Sequence, residues 1–224
     1  MTKQNAMPQN HKTSLPKIDH IVIGASTLIT GKEILEPILG VNLPMGGKHQ
    51  LVSTHNCVLQ SGDGTYLELI AIDPDAPAPS RRRWFSLDED HTTAKLAERP
   101  RALTWVVSTD DLDQKVAESP IDLGEVLDLS RDDLTWRLTV PSDGSLPEGG
   151  LIPSLISWPN GQSPAPRMAD HGLHLTRVSI THPDPIKLLD IMEALNIAHL
   201  TNIEKGKPGL RFSITTPLGE VVID

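Results

Sequence analysis

Apolar positions along the chain switch repeatedly between a period of two and a period of 3.6, and each switch predicts a strand followed by a helix. Residues 18–25 (IDHIVIGA) read as a buried strand. Thr30 and Glu33 have the T-x-x-E spacing of a capping box. Ile34, Leu35, Ile38 and Leu39 then form one apolar stripe, which Gly40 ends. Pro37 inside the stripe predicts a kink or a shortened helix. Strands are expected near 41–45, 54–61 and 65–73. A connector with a Pro-rich start and a helix within 84–98 follows. The pattern then begins again: a strand at 102–109, a short helix at 111–118 with an Asp cap, and strands at 125–129, 134–140 and 151–158. A third round has a strand at 173–181, a helix opened by Asp184-Pro185 with the stripe Leu188, Leu189, Met192 and Leu195, and strands at 210–215 and 220–223.

This order predicts an α+β fold of repeated βαβββ units forming a curled mixed sheet around a cavity. The divisions are a disordered leader (1–17), a first unit (18–73), a connector with a helix (74–101), a second unit (102–160) and a third, shorter unit (173–224). A sheet with one apolar face cannot bury it alone, so units must pair. The third unit is expected to pack on the second within the chain, or on a twin chain in a homodimer.

Composition narrows the partners. The 224 residues carry 29 acidic against 20 basic side chains, a formal charge of −9. That balance repels phosphate backbones and anionic lipid, so neither nucleic acid nor a membrane is an expected partner. No apolar run is long enough to span a bilayer. One cysteine, Cys57, excludes a disulfide within the chain and suits a reducing, cytoplasmic compartment.

Four segments carry a family resemblance: IDHIVI (18–23), GGKH (46–49), STHN (53–56) and GTYLELIA (64–71), with LIPSLISW (151–158) and THPDP (181–185) further on. Together they resemble the glyoxalase-like domain family of the vicinal-oxygen-chelate superfamily, which includes glyoxalases, bleomycin-resistance proteins and dioxygenases. The resemblance implies a small-molecule ligand in a half-barrel cavity. It also implies a divalent metal with His20 and Glu68 as ligands from the first unit, and isomerase, lyase or oxygenase chemistry. The second-unit equivalents by count are Thr104 and Ser154, which are not ordinary metal ligands, so the implied site is incomplete. Without metal, Glu68 would act as a general base; without catalysis, the cavity would bind or sequester its ligand.

Strand parity assigns the remaining candidates. His20 and Val22 share the cavity face, opposite Ile21 and Ile23; Glu68 shares it with Tyr66 and Ile70. His20 and Glu68 therefore form either a site or a structural pair, expected side by side on one concave sheet face. Cys57 and Leu59 face the core if the hairpin loop has three residues, Gly62-Asp63-Gly64, and that register turns Asn56 inward and His55 outward. His49, after two glycines, is expected in a loop at the cavity mouth, as a substrate contact, a third ligand or a solvated histidine. Trp158 is either a cavity wall or plain core. Arg137 either holds a substrate carboxylate or lies on the surface. His171 and His174 have ligand spacing but sit in a polar connector.

Overall fold

The computed structural model of the protein describes residues 14–62, 64–161 and 163–224. The leader expected over 1–17 lies outside the described residues up to position 13. Beyond it, the Ser14 hydroxyl donates to Asp110 at 2.6 Å and the first strand begins at Lys17.

β1 (Lys17–Gly24) organises the fold because it pairs on both edges. β4 (Tyr66–Ile72) lies parallel on one side and β5 (Arg101–Ser108) antiparallel on the other. With β2 (Met45–His49), β3 (Thr54–Gln60), β6 (Glu125–Arg131), β7 (Leu134–Val140) and β8 (Ser154–Ser157), they form one mixed sheet of order β2-β3-β4-β1-β5-β8-β7-β6. In each half the last strand returns beside the first in parallel: β4 beside β1, and β8 beside β5. The sheet curls until it is nearly closed. A Cβ built on Gly47, in edge strand β2, would fall 2.7 Å from Nη1 of Arg131, at the end of edge strand β6.

Helix α1 (Leu28–Leu39) differs at its start from the expected capping box. Thr27 is the cap, its hydroxyl accepting from the Thr30 N–H at 3.0 Å. Its buried face is Leu28, Gly31, Leu35 and Leu39, while Ile34 and Ile38 are partly exposed, so the expected stripe was rotated. Pro37 leaves the Glu33 carbonyl without its i+4 donor, yet the helix runs through it to Gly40. The connector helix α2 (Asp90–Glu98) is shorter than expected, and α3 (Leu112–Glu118) follows Asp111 without a side-chain capping bond.

The third unit departs from the pattern of the first two. After β9 (His174–His182) and α4 (Pro185–Ala194), β10 (Asn202–Lys205) pairs in parallel directly with β9. β11 (Gly209–Thr216) and β12 (Gly219–Ile223) follow on the other edge, giving the order β10-β9-β11-β12. β10 was not foreseen from the pattern. The buried face of α4 is Leu188, Ile191 and Met192; Leu189 is partly exposed.

Two apolar clusters result. One joins Ile21, Ile23, Leu35, Leu69 and Trp105 to Val178, Leu188, Met192 and Phe212, so the third unit shares a continuous core with the helix side of the large sheet. The other, on the concave side, includes Val22, Ile70, Trp84, Phe85, Leu96, Val106, Trp136 and Ile156; there the connector fills the curl. No helix among the described residues is long and apolar enough to cross a membrane.

A shared core predicts shared unfolding. Phe212 is fully buried. Phe212→Ala is expected to destabilise by about 3–5 kcal/mol. Denaturant melts read by far-UV circular dichroism should still show one transition for the whole chain. Deletion of 173–224 should expose the apolar face it covers and give insoluble protein; a soluble 1–172 fragment that melts cooperatively would show the third unit to be an appendage.

Candidate functional site

Every residue of β4 up to Ala71 is buried, and Glu68 lies among them at 5% exposure. A carboxylate there must find donors. The hairpin register supplies one. Ser61 N–H bonds Thr65 O at 2.8 Å and Thr65 N–H bonds Gly62 O at 2.7 Å. These bonds close the loop over 62–64, with Gly62 and Gly64 at positive φ, as the three-residue hairpin requires. Asp63 itself lies outside the described residues. Val58 then opposes Glu68, and Asn56 opposes Ile70. Asn56 Nδ2 donates to Glu68 Oε1 at 2.6 Å, while His55 turns outward, 3.9 Å from Asp73.

Two β-bulges add residues that parity alone would point elsewhere. In β2, Gly46 and Gly47 together oppose Asn56, because Met45 pairs with Cys57 and Lys48 with His55. The extra residue shifts the parity and brings His49 opposite Thr54, on the cavity face. His49 is thus in an edge strand, not a mouth loop. Gly47 N–H donates to Asn56 Oδ1 at 2.8 Å. That bond orients the amide so that its NH₂ meets Glu68. In β1, Ile18 pairs with Val107 and His20 with Val106, leaving Asp19 unpaired. Asp19 therefore shares the side of His20: its Oδ1 lies 2.7 Å from His20 Nδ1, and its Oδ2 accepts from the Trp158 indole N–H at 2.7 Å.

The expected pair is brought together on the concave face. His20 Nε2 lies 3.7 Å from Glu68 Oε2, and the imidazole stacks on Tyr66 at 4.4 Å. The His20–Glu68 separation is too long for a direct hydrogen bond. His49 Nε2 lies 4.0 Å from Glu68 Oε1. Burial holds His49 down to about 4, against the pull of the Glu68 charge, so it is a neutral ring near neutral pH. Burial, reinforced by the charges of Asp19 and Glu68, pushes the Tyr66 phenol well above its ordinary value. Burial likewise raises the Cys57 thiol, which packs in the core against Met45.

His20, His49, Asn56, Tyr66 and Glu68 line a narrow recess of ≈40 Å³. Its other wall is apolar and comes from the second half of the sheet: Leu134, Trp136, Leu138, Ile156 and Trp158. A basin of ≈810 Å³ adjoins it, and His49, Trp84, Arg131 and Trp136 line both. The connector closes the recess with Trp84 and Phe85. Phe85 and Ser86 are both left-handed, an unfavourable conformation that surrounding bonds must hold. Ser86 N–H donates to Gly144 O at 2.8 Å, and Arg83 donates to Asp88 at 2.6 Å.

Arg137 does not line the recess. It is held on the other face by Asp113 through two bonds of 2.8 Å. Sequence reasoning missed Asp19, Trp84 and Arg131. The charged residue inside the apolar run IDHIVI was the available signal for Asp19; nothing local marked the other two. His174 is exposed in β9, beside Gly62, and has no part in the recess.

The metal implied by the resemblance finds too few donors. A catalytic zinc site takes three protein ligands. Val22 pairs with Glu68 as Val106 pairs with Ser154, so Thr104 and Ser154 do occupy the second-unit ligand positions. Thr104 instead donates to the Gly150 carbonyl at 3.3 Å. Among the described residues no group of three or more His, Cys, Asp or Glu is arranged to hold an ion. The donor set does not fit a resident divalent ion of that kind.

The model of the glyoxalase-like domain matches residues 18–195. In structure the chain is similar to a hypothetical protein from Staphylococcus aureus, with a TM-score of 0.59 at 13% identity, covering 93% of this chain and 84% of that one; the two share a fold. Methylmalonyl-CoA epimerase from Streptomyces coelicolor is more distantly similar, with a TM-score of 0.40 at 20% identity, covering 65% of this chain and 96% of that one. No curated protein sequence matches the chain.

The neutral buried His49 predicts a pH dependence of stability. The unfolded chain takes up its proton near 6.5, whereas the folded site resists until about 4. Between these values the unfolded state binds more protons, so stability should fall as the pH drops through that window, by ~3 kcal/mol in all. His49→Gln should remove that part of the slope. Urea denaturation of both proteins at neutral pH and at two points within the window checks it; parallel pH profiles would show that His49 does not carry the effect.

Proposed function

This chain belongs to the glyoxalase-like domain family, and from that premise we propose that it is an enzyme in which Glu68, without a resident metal, removes a proton from carbon beside a carbonyl of a small substrate. The observation that carries this reading is the buried Asp19–His20–Glu68–Asn56 cluster at the end of an apolar recess. Asn56 occupies Oε1 and leaves Oε2 toward His20 and the recess. Glu68 Oε2 would accept the proton as the C–H bond breaks and its electron pair passes to the carbonyl oxygen, giving an enolate. Return of the proton to carbon would complete an isomerisation or an exchange. A dry, apolar wall strengthens such a base and keeps water from the enolate.

A second reading has a specific observation behind it. Hydroxyls at Thr104 and Ser154, where ligands would complete a metal site, equally suit a protein that only binds or sequesters its small molecule. The single buried cysteine is in keeping with work in a reducing cytoplasm.

Solvent exchange separates the two. Dihydroxyacetone, acetoin and pyruvate would be incubated with the protein in D₂O and followed by proton NMR. Enzyme-dependent loss of an α-hydrogen signal is expected for at least one of them, and Glu68→Gln should slow it by ~100-fold or more with little change in melting temperature. Ligand-induced shifts without exchange would favour the binding reading. Exchange that survives Glu68→Gln would overturn the assignment of the base.

A further inference from the structure

We propose that the neck between recess and basin is a subsite for a single carboxylate, so that the ligand is a short monocarboxylic acid that also carries a carbonyl beside its reacting carbon. The inference rests on the reading of Glu68 as base and adds the substrate class. Two donors without a partner among the described residues belong to side chains that line both spaces. The Arg131 guanidinium makes no ion pair among the described residues, although it lines both recess and basin. Trp84 is 4% exposed and lines both spaces, yet its indole N–H is buried without a hydrogen-bond partner among the described residues. A buried donor left unmet is costly, and an acceptor brought by a ligand relieves that cost.

The surroundings select the kind of anion. Lys48 also lines the basin but is committed to Asp73 at 2.7 Å. Asp132 stands on the rim and repels further negative charge. One positive charge within such a rim matches one negative charge, not a phosphate dianion or a polyphosphate. A guanidinium fork also fits a planar carboxylate with two hydrogen bonds. The recess beyond the neck, ≈40 Å³, limits the substituent on the reacting carbon to a few atoms. It has room for about three water-sized groups. Gly47 keeps the subsite in shape: a Cβ there would fall 2.6 Å from Arg131 Nε and push the guanidinium away.

Binding of propionate and pyruvate, with propionamide and inorganic phosphate as contrasts, tests this by calorimetry and by tryptophan fluorescence. Both carboxylates are expected to bind at least ~10-fold more tightly than the amide and the phosphate. Arg131→Gln should weaken the carboxylates by ~30-fold and Trp84→Phe by ~5-fold, while Gly47→Ala should weaken them with Arg131 still present. Arg137→Gln, on the other face, should leave binding unchanged. Phosphate binding as tight as that of propionate, or carboxylate binding indifferent to Arg131→Gln and Gly47→Ala, would overturn the proposal. The two readings fail separately. Arg131-dependent carboxylate binding without α-hydrogen exchange would retain the subsite and remove the base. Glu68-dependent exchange of neutral carbonyls with no carboxylate preference would retain the base and remove the subsite.

Discussion

A carboxylate buried in the middle of a strand is the constraint on which the rest of the site depends. Removing the charge of Glu68 from water costs several kcal/mol unless hydrogen bonds replace hydration. Asn56 supplies such a bond, but only in one hairpin register; a slip of one residue would present His55 instead. The three-residue loop sets that register. The amide must also turn its NH₂ toward Glu68, which requires a donor for its oxygen, and Gly47 N–H is that donor. Gly46 has to come so close to Asn56 that a side chain there would collide with the amide oxygen. A short glycine pair in an edge strand therefore serves a charge two strands away.

This chain of dependence shows what could be read from residues and what could not. Period-two parity is a local rule, and it placed His20, Glu68 and Asn56 correctly because β3 with β4, and β1 with β4 from His20 onward, pair without interruption. It failed where a bulge inserts one residue. Asp19 and His49 reach the cavity through bulges that show only in the pairing. That Arg131 lines the recess and Arg137 does not was beyond any local rule. Parity around Arg137 says that it faces away from Trp136, but not which of those faces is concave. Arg131 lies at the end of β6 and reaches the cavity only because the sheet curls until its two edges meet. The helix stripes of α1 and α4 were rotated for a related reason. Ile34 and Leu189 are apolar, yet the positions that face the sheet are Gly31 and Ile191. Apolarity alone does not distinguish a covered from an uncovered flank.

The two halves of the large sheet share a topology but have diverged in chemistry. The first half contributes the polar cluster of Asp19, His20, His49, Asn56, Tyr66 and Glu68. The second contributes an apolar wall, from which the Trp158 N–H reaches into the cluster and is spent on Asp19. Symmetric donor sets would share one ion between the halves. The asymmetry here instead places a polar cluster against a surface of low dielectric, where each charge and dipole acts more strongly than it would in water.

Coverage of the sheet is divided in the same asymmetric way. On the helix side, the third unit extends the core through Val178, Leu188, Met192 and Phe212. On the concave side the connector does the covering, with Trp84, Phe85, Leu87 and Leu96 set into the curl. Two consecutive left-handed residues, neither of them glycine, are an unfavourable way to route a chain. They persist because the tie to Gly144 and the Arg83–Asp88 pair over-determine the segment. What that routing achieves is the position of one indole: Trp84 meets His49 edge-on at 4.9 Å and stands, with Arg131, in the wall that recess and basin share.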